Sequence, residues 1–280
     1  MRILFLGDIV GKSGRTAVKK YVSESKARLK IDCVIANGEN SSHGFGIRAS
    51  ICEQLFEAGV DVITLGNHSF DQKGDIQIFD SERRLIRPLN YPRNTPGHGF
   101  CIHSVPRLGK KILVINVIGR IFMELNDDPF QCLEDLLKIY RIGYNVDAIA
   151  VDIHAEATSE KIAFARYFDG RVSFFAGTHT HVPTADAQIF RGGTGFLADA
   201  GMCGDYDSII GMEYGTSVCR FVDKLNMYSR MVPASGNAAV CGAMFEIDDK
   251  TGLCIGICPI RSGGLLIEQK EYDAKLNIVE

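Results

Sequence analysis

The sequence predicts an α/β fold. Short, unbroken apolar runs, each the length of one buried strand, alternate with segments of helical period as far as about residue 181. Most of these runs stop at polar or ligand-type side chains, often through a glycine. Open α/β sheets place their binding crevice at such strand ends. Beyond residue 195 the alternation fades into longer apolar runs joined by a tight polar turn, which adds antiparallel strands.

Residues 3–6 are apolar throughout and stop at Gly7-Asp8, as a strand buried on both faces does. Gly11 and Gly14 make the next turn. Ser13 is placed to cap a helix reaching about Lys30, with Val18, Tyr21, Val22 and Leu29 on one stripe. Gly7 and Gly11-Lys12-Ser13 imitate a nucleotide-triphosphate loop, but that loop needs four residues between its glycines and only Asp8, Ile9 and Val10 lie here. Cys33-Val34-Ile35-Ala36 is the second strand, ending at Asn37-Gly38-Glu39-Asn40. A loop with Gly44 and Gly46, then a helix over 50–58, lead to a third strand over 60–65, which ends at Gly66-Asn67-His68.

Residues 80–106 carry Pro88, Pro92, Pro96 and Pro106 and read as an irregular excursion. A strand resumes over 111–117, and an amphipathic helix follows over 129–140 with Leu133, Leu136 and Leu137 clustered. Residues 148–151 form a strand ending at Asp152-Ile153-His154-Ala155-Glu156, and 159–168 the next helix. The run 172–176 breaks at Gly177-Thr178-His179-Thr180-His181. In an extended segment alternate side chains point the same way, so His179 and His181 are expected to face one spot. Alone, such a pair fits surface histidines in a polar turn slightly better. The potential ligands ending other apolar runs favour a shared site. Gly192-Gly193-Thr194-Gly195 lacks the strand-loop-helix setting of a dinucleotide site and reads as a hairpin-like turn. Residues 240–247 and 253–260 are antiparallel strands joined through 248–252. With no repeat, linker or low-complexity tract, a single domain is expected over 1–280.

Hydrophobic residues make up 46% and charged residues 23%, an ordinary balance for a soluble globular chain. A net charge of −3 gives no footprint for nonspecific nucleic-acid binding and no polybasic membrane patch. The apolar start reaches Asp8 too soon for a secretory leader, and no run approaches membrane-spanning length. Nine cysteines, an odd number mostly in apolar surroundings, suit free thiols in a reducing compartment, so the cytoplasm is expected. Cys254 and Cys258 have no second pair at zinc-site spacing.

The strand ends together offer Asp8, Glu39, Asn40, Asn67, His68, His154, His179 and His181. This set mixes carboxylate, amide and imidazole without thiolate, which suits manganese, iron, zinc or magnesium better than copper(I) or an iron–sulfur cluster. Eight groups are too many for one catalytic ion and about right for two, an arrangement that can clamp both oxygens of a phosphoryl displacement.

In order, Gly7-Asp8, Gly38-Glu39-Asn40, Gly66-Asn67-His68 and Gly177-Thr178-His179-Thr180-His181 resemble the blocks of the calcineurin-like metallophosphoesterases. Gly7-Asp8-Ile9-Val10-Gly11, Asn37-Gly38-Glu39-Asn40 and His154-Ala155-Glu156-Ala157-Thr158-Ser159-Glu160-Lys161 resemble the signatures of their YmdB-like branch. Nearly the whole chain is covered. Two positions depart from the broad superfamily: Val10 stands where a histidine is usual, and Glu39 where the bridging carboxylate is usually Asp. The YmdB-like branch shares both changes. The first leaves a metal position one ligand short, with Asn40 available to fill it.

The resemblance implies a four-layer α/β/β/α sandwich of two mixed β-sheets flanked by helices, and a homo-oligomer. It implies two divalent ions, manganese or iron ahead of magnesium or zinc. Asp8 and His181, with Asn40, would hold the first. Asn67, His154 and His179 would hold the second, and Glu39 would bridge them. It implies hydrolysis of small phosphodiesters, including 2′,3′-cyclic nucleotides, by a metal-activated hydroxide, with His68 as the general acid. An imidazole is suited to that role because it titrates near working pH. Two other readings keep the fold: a metal-binding regulatory protein acting on RNA metabolism through a partner, and a phosphomonoesterase. Asp71, Glu156 and Asp199 read as helix caps or surface acids ahead of partners for ligating imidazoles. His43, His98 and His103 read as loop or surface residues, and Arg15 and Arg48 fit either a phosphate or solvent.

Overall fold

A computed structural model describes residues 1–223, 225 and 230–269 of the chain. The expected single domain over 1–280 includes residues 270–280, which lie outside the described residues. The first elements are β1 (Arg2–Leu6), β2 (Asp8–Ile9), α1 (Gly11–Arg28), β3 (Cys33–Asn37), α2 (Ala49–Glu57) and β4 (Val62–Thr64). Next come α3 (Ile78–Ser81), β5 (Phe100–Val105), β6 (Lys110–Ile118), α4 (Pro129–Ile139), β7 (Ala148–His154), α5 (Thr158–Tyr167) and β8 (Phe174–Thr178). The remainder comprises β9 (Gln188–Ile189), β10 (Gly195–Leu197), β11 (Met202–Asp205), α6 (Tyr214–Val222), β12 (Ala238–Ile247) and β13 (Cys254–Ser262).

Two mixed sheets result. One has the order β2-β11-β12-β1-β3-β4, with β13 also paired to β12. In it β1, β3 and β4 run parallel, while β12 is antiparallel to β1. The other has the order β5-β6-β7-β8-β10-β9, parallel from β6 to β10 with an antiparallel strand at each edge.

The period of two in β1 decides how the layers stack. Leu4 and Leu6 join Val18 and Val22 of α1 and Leu55 of α2 on one side. Ile3 and Phe5 join Ala150, Phe174 and Phe245 between the sheets. Phe174 stacks on Phe245 with ring centroids 3.9 Å apart, so β8 and β12 meet across the interior. On the far side of the second sheet, Leu113 and Ile115 pack with Leu133 of α4 and Phe164 of α5. Each buried side chain of this kind contributes roughly 1.5–3 kcal/mol. Helix, sheet, sheet, helix is the four-layer sandwich the resemblance implied.

Local chemistry sets several boundaries. Asp128 caps α4, its Oδ1 accepting from Phe130 N at 2.9 Å, and Pro129 fills the first turn. Ser13 does not cap α1. That helix begins at Gly11, and Ser13 Oγ donates instead to the Ala234 carbonyl at 3.1 Å. The excursion over 80–106 contains β5, paired antiparallel with β6. The tight turn over 192–195 does join an antiparallel pair, β9 and β10. The nine cysteines are free thiols. No helix among the described residues is long and apolar enough to cross a membrane.

Candidate metal centre

Because β1, β3 and β4 are parallel, their C-terminal ends deliver Asp8, Glu39 with Asn40, and Asn67 with His68 to one edge of the first sheet. Parallel β7 and β8 deliver His154, His179 and His181 from the second. The two sets meet: His154 Nε2 lies 3.2 Å from Glu39 Oε1. Gly66 sits where nothing larger fits, since a Cβ there would lie 2.3 Å from both Glu39 Oε2 and His154 Nε2.

Donor atoms converge in two groups. Asp8, Glu39 and His181 form one, and Glu39, His154 and His179 the other, with the ligand atoms of each group within 4.8 Å of one another. Asn40 Oδ1 joins the first group, 3.2 Å from His181 Nε2. Asn67 Oδ1 joins the second, 2.9 Å from His154 Nε2. His179 Nδ1 lies 3.1 Å from the same His154 nitrogen. One ring nitrogen carries at most one proton, which cannot serve Glu39, Asn67 and His179 together. A cation among them can. Asp8 Oδ1 makes the same point, being buried with no hydrogen-bond partner among the described residues. Oxygen and imidazole donors without thiolate fit divalent metal ions.

Burial pushes the Asp8 carboxyl up to about 6, against the pull of His181 and His154. Burial also acts against charge on Glu39 and His154, but their mutual attraction outweighs it. Glu39 is held below the usual carboxylate range and His154 above the usual imidazole range. His179 is pushed down to about 3 by burial and by the neighbouring His154.

Each imidazole is aimed by a partner on its other nitrogen. His181 Nδ1 donates to the Ile210 carbonyl at 2.7 Å. His179 Nε2 faces Glu156 Oε2 at 3.1 Å. His154 Nδ1 meets Thr178 Oγ1 at 2.9 Å, and Thr178 Oγ1 donates to Asp152 Oδ1 at 2.7 Å. Asp152 Oδ2 accepts from Asn37 Nδ2 at 3.0 Å and Thr64 Oγ1 at 2.5 Å. Burial raises Asp152 to about 7 against His154 and these donors, while its Oδ1 accepts from Thr178. The second nitrogen of each ring thereby faces the centre, ready to offer a lone pair once it gives up any proton it carries.

His179 and His181 do not converge by strand alternation. The strand stops at Thr178, and both residues are left-handed, with φ of 98° and 66°. That turn sends His179 to one donor group and His181 to the other, at a cost of about 1–3 kcal/mol for each such residue. Lys161 and Asp199, both fully buried and 2.8 Å apart, hold it. Lys161 Nζ donates to the Thr178 carbonyl at 2.7 Å, and Asp199 Oδ2 accepts from Thr180 N at 3.1 Å.

His68 belongs to neither group. Its backbone N–H donates to Glu39 Oε2 at 3.2 Å, and its Nδ1 pairs with Asp71 Oδ2 at 2.8 Å. It lines a cavity of about 580 Å³ that also opens onto Glu39, Asn40, His179 and His181. Val10, at the superfamily's usual histidine position, packs with Met202 and Met212 and offers no donor.

Glu156 and Asp71, read as caps or surface acids, therefore touch site imidazoles, whereas Asp199 pairs with Lys161 and holds the Thr180 backbone N–H. His103 is a half-buried residue of β5 near Cys33 and Asp61, not a loop residue, and His43 is exposed. Arg15 donates to the Ser41 carbonyl and Arg48 to Gln72, so both guanidiniums are engaged within the protein. Sequence reasoning missed Asn37, Asp152, Lys161 and Thr178. Asp152 had a signal, because it stands two residues before His154 in a strand and so shares its face.

Comparison with known proteins points to one family. The family model described as YmdB-like protein matches residues 4–260. The chain is 44% identical over 257 residues to a Bacillus subtilis protein named 2′,3′-cyclic-nucleotide 2′-phosphodiesterase, covering 92% of this chain and 95% of that one. A Mycoplasma pneumoniae crystal structure described as a novel phosphatase superposes with a TM-score of 0.86 at 35% identity, covering 94% of this chain and 93% of its own. A hypothetical protein from Thermus thermophilus gives a TM-score of 0.87 at 41% identity, covering 94% of this chain and all of that one.

Proposed function

Because the chain belongs to the YmdB-like family, with the fold and motifs of the calcineurin-like metallophosphoesterases, we propose that it hydrolyses the 2′ ester of 2′,3′-cyclic nucleotides in a metal-dependent reaction. The observation that carries this reading is Glu39, whose carboxylate is common to both donor groups. Asp8, Asn40 and His181 are assigned to one divalent ion, Asn67, His154 and His179 to a second, and Glu39 to both. Among the divalent ions that this donor set suits, the family resemblance favours manganese or iron. Such ions would activate a water and draw charge from the phosphoryl oxygens.

The chain's own residues do the rest. Glu39, held ionised beside His154, keeps the two groups together. Asp71 accepts a hydrogen bond from His68 Nδ1–H, which fixes the ring and leaves Nε2 as its other proton-carrying atom. As water adds to phosphorus, losing a proton to solvent, and the P–O2′ bond breaks, protonated His68 gives its Nε2 proton to the departing 2′ oxygen and is reprotonated from solvent. No side chain becomes covalently attached to substrate. The free thiols fit a cytoplasmic setting.

The test is turnover of 2′,3′-cyclic AMP and bis-p-nitrophenyl phosphate with manganese added, alongside phosphomonoesters. The diesters are expected to be preferred, and Asp8→Asn to abolish turnover. A wild type without diesterase activity, or an active Asp8→Asn, overturns the reading. His68→Ala is expected to lose about 10²–10⁴-fold in kcat while keeping its full metal content by elemental analysis. Loss of metal would make His68 a ligand instead.

A further inference from the structure

The cavity beside the metal centre has a mixed lining. Glu39, Asn40, His68, His179 and His181 are its polar part, and Phe45, Ile210, Met212 and Phe221 its apolar part. Phe45 and Ile210 adjoin the site itself, against His68 and His181. A metal-bound phosphate needs only the polar residues. Helix α6 adds two groups that the protein leaves uncommitted. Ser217, on α6, lines the cavity at 2% exposure, yet its Oγ has no hydrogen-bond partner among the described residues. Phe221, one helical turn further along α6, also lines the cavity and is 83% exposed. A buried hydroxyl without a partner costs free energy unless a ligand supplies one. A large exposed ring gains most from a flat apolar partner.

We propose that this wall is a nucleobase subsite, with the base stacked on Phe221 and its polar edge hydrogen-bonded to Ser217 Oγ. The inference rests on the phosphodiesterase reading for the orientation of the ligand, phosphate toward Glu39 and base toward α6. It goes further in making the nucleoside, and not the cyclic phosphate alone, the recognised unit. A nucleoside 2′,3′-cyclic phosphate, anionic at the phosphate and flat at the base, matches this mixed polar and apolar lining. Arg220, also in the lining, forms no ion pair among the described residues and adds positive charge for an anionic ligand.

The test compares adenosine 2′,3′-cyclic phosphate with the baseless 1-O-methylribofuranose 2′,3′-cyclic phosphate, using manganese-loaded protein. The wild type is expected to prefer the nucleotide in kcat/KM by about tenfold or more, mainly through KM, as base–aromatic stacking provides. Phe221→Ala should collapse that ratio and Phe221→Tyr restore it. Ser217→Ala should lower it about threefold or more, the loss of one hydrogen bond. Because the chain has no tryptophan, a 2-aminopurine nucleoside 3′-phosphate reports binding without interference. Its fluorescence should be quenched by the wild type and not by Phe221→Ala.

Equal handling of both substrates with no quench overturns the subsite and leaves the diesterase reading standing. Phe221-dependent quench without any turnover supports the subsite and sinks the diesterase reading. A Phe221→Ala variant that changes only sedimentation, with ratio and quench intact, assigns this face to a second copy and overturns the proposal.

Discussion

His154 shows how one residue concentrates the problem. Its Nε2 is crowded by Glu39, Asn67 and His179, and its Nδ1 is tied through Thr178 to Asp152. In Asp152→Asn, the amide nitrogen in place of Oδ1 donates to Thr178. The threonine hydroxyl then donates its hydrogen bond to His154 Nδ1, which favours the tautomer with the ring proton on the nitrogen that should bind metal. Metal affinity is expected to fall about 10–100-fold with the fold intact, as read by metal titration and circular dichroism. Unchanged affinity would show that the relay does not orient the ring. Without metal, burial lowers His154 but Glu39 and Asp8 more than offset it, so the imidazole is raised and keeps its proton at neutral pH. A ligand must give that proton up. Apparent metal affinity should therefore rise with pH until the raised imidazole pKa is passed. Calorimetry in buffers of different ionisation enthalpy should count about one proton released at pH 7. Absence of release would remove His154 from the ligand set. The eight polar residues were legible because each ends or follows a strand. Thr178 was not, since a threonine after a glycine looks like turn chemistry until its hydroxyl is seen between two buried side chains.

At the scale of elements, the segment after β8 carries the most cost, with two left-handed histidines in three residues. Helix α5 and the strand end meet there through Lys161 and Asp199. Lys161→Met leaves Asp199 buried and unpaired and is expected to cost about 3–5 kcal/mol of stability in chemical denaturation. Lys161→Met with Asp199→Leu should regain most of that stability yet stay poorly active, because Thr180 N loses its acceptor. A single variant as stable as wild type would show that the pair does not hold the turn. This device was hidden because a lysine within a helical pattern ordinarily faces solvent. β5 was hidden for a different reason: four prolines over 80–106 marked the segment as irregular before its alternation could register. The short β11 and the amphipathic α6 lie where glycine-rich sequence obscured any period.

For the whole molecule, the parallel strands were readable from apolar runs broken at polar ends. The division into two sheets was not readable from those runs; only the family resemblance implied it. Nothing in residues 111–117 says that they join a different sheet from residues 33–37; that follows from which faces Phe5, Phe174 and Phe245 share in the interior. The division matters because Glu39 comes from one sheet and His154 from the other, so the donor groups exist only when both sheets are packed. The most direct test is anomalous diffraction from crystals grown with manganese. Two peaks are predicted, one reached by Asp8, Asn40 and His181, the other by Asn67, His154 and His179, with Glu39 touching both. A well-ordered crystal with no peak at Glu39, or with manganese bound only elsewhere, would contradict it.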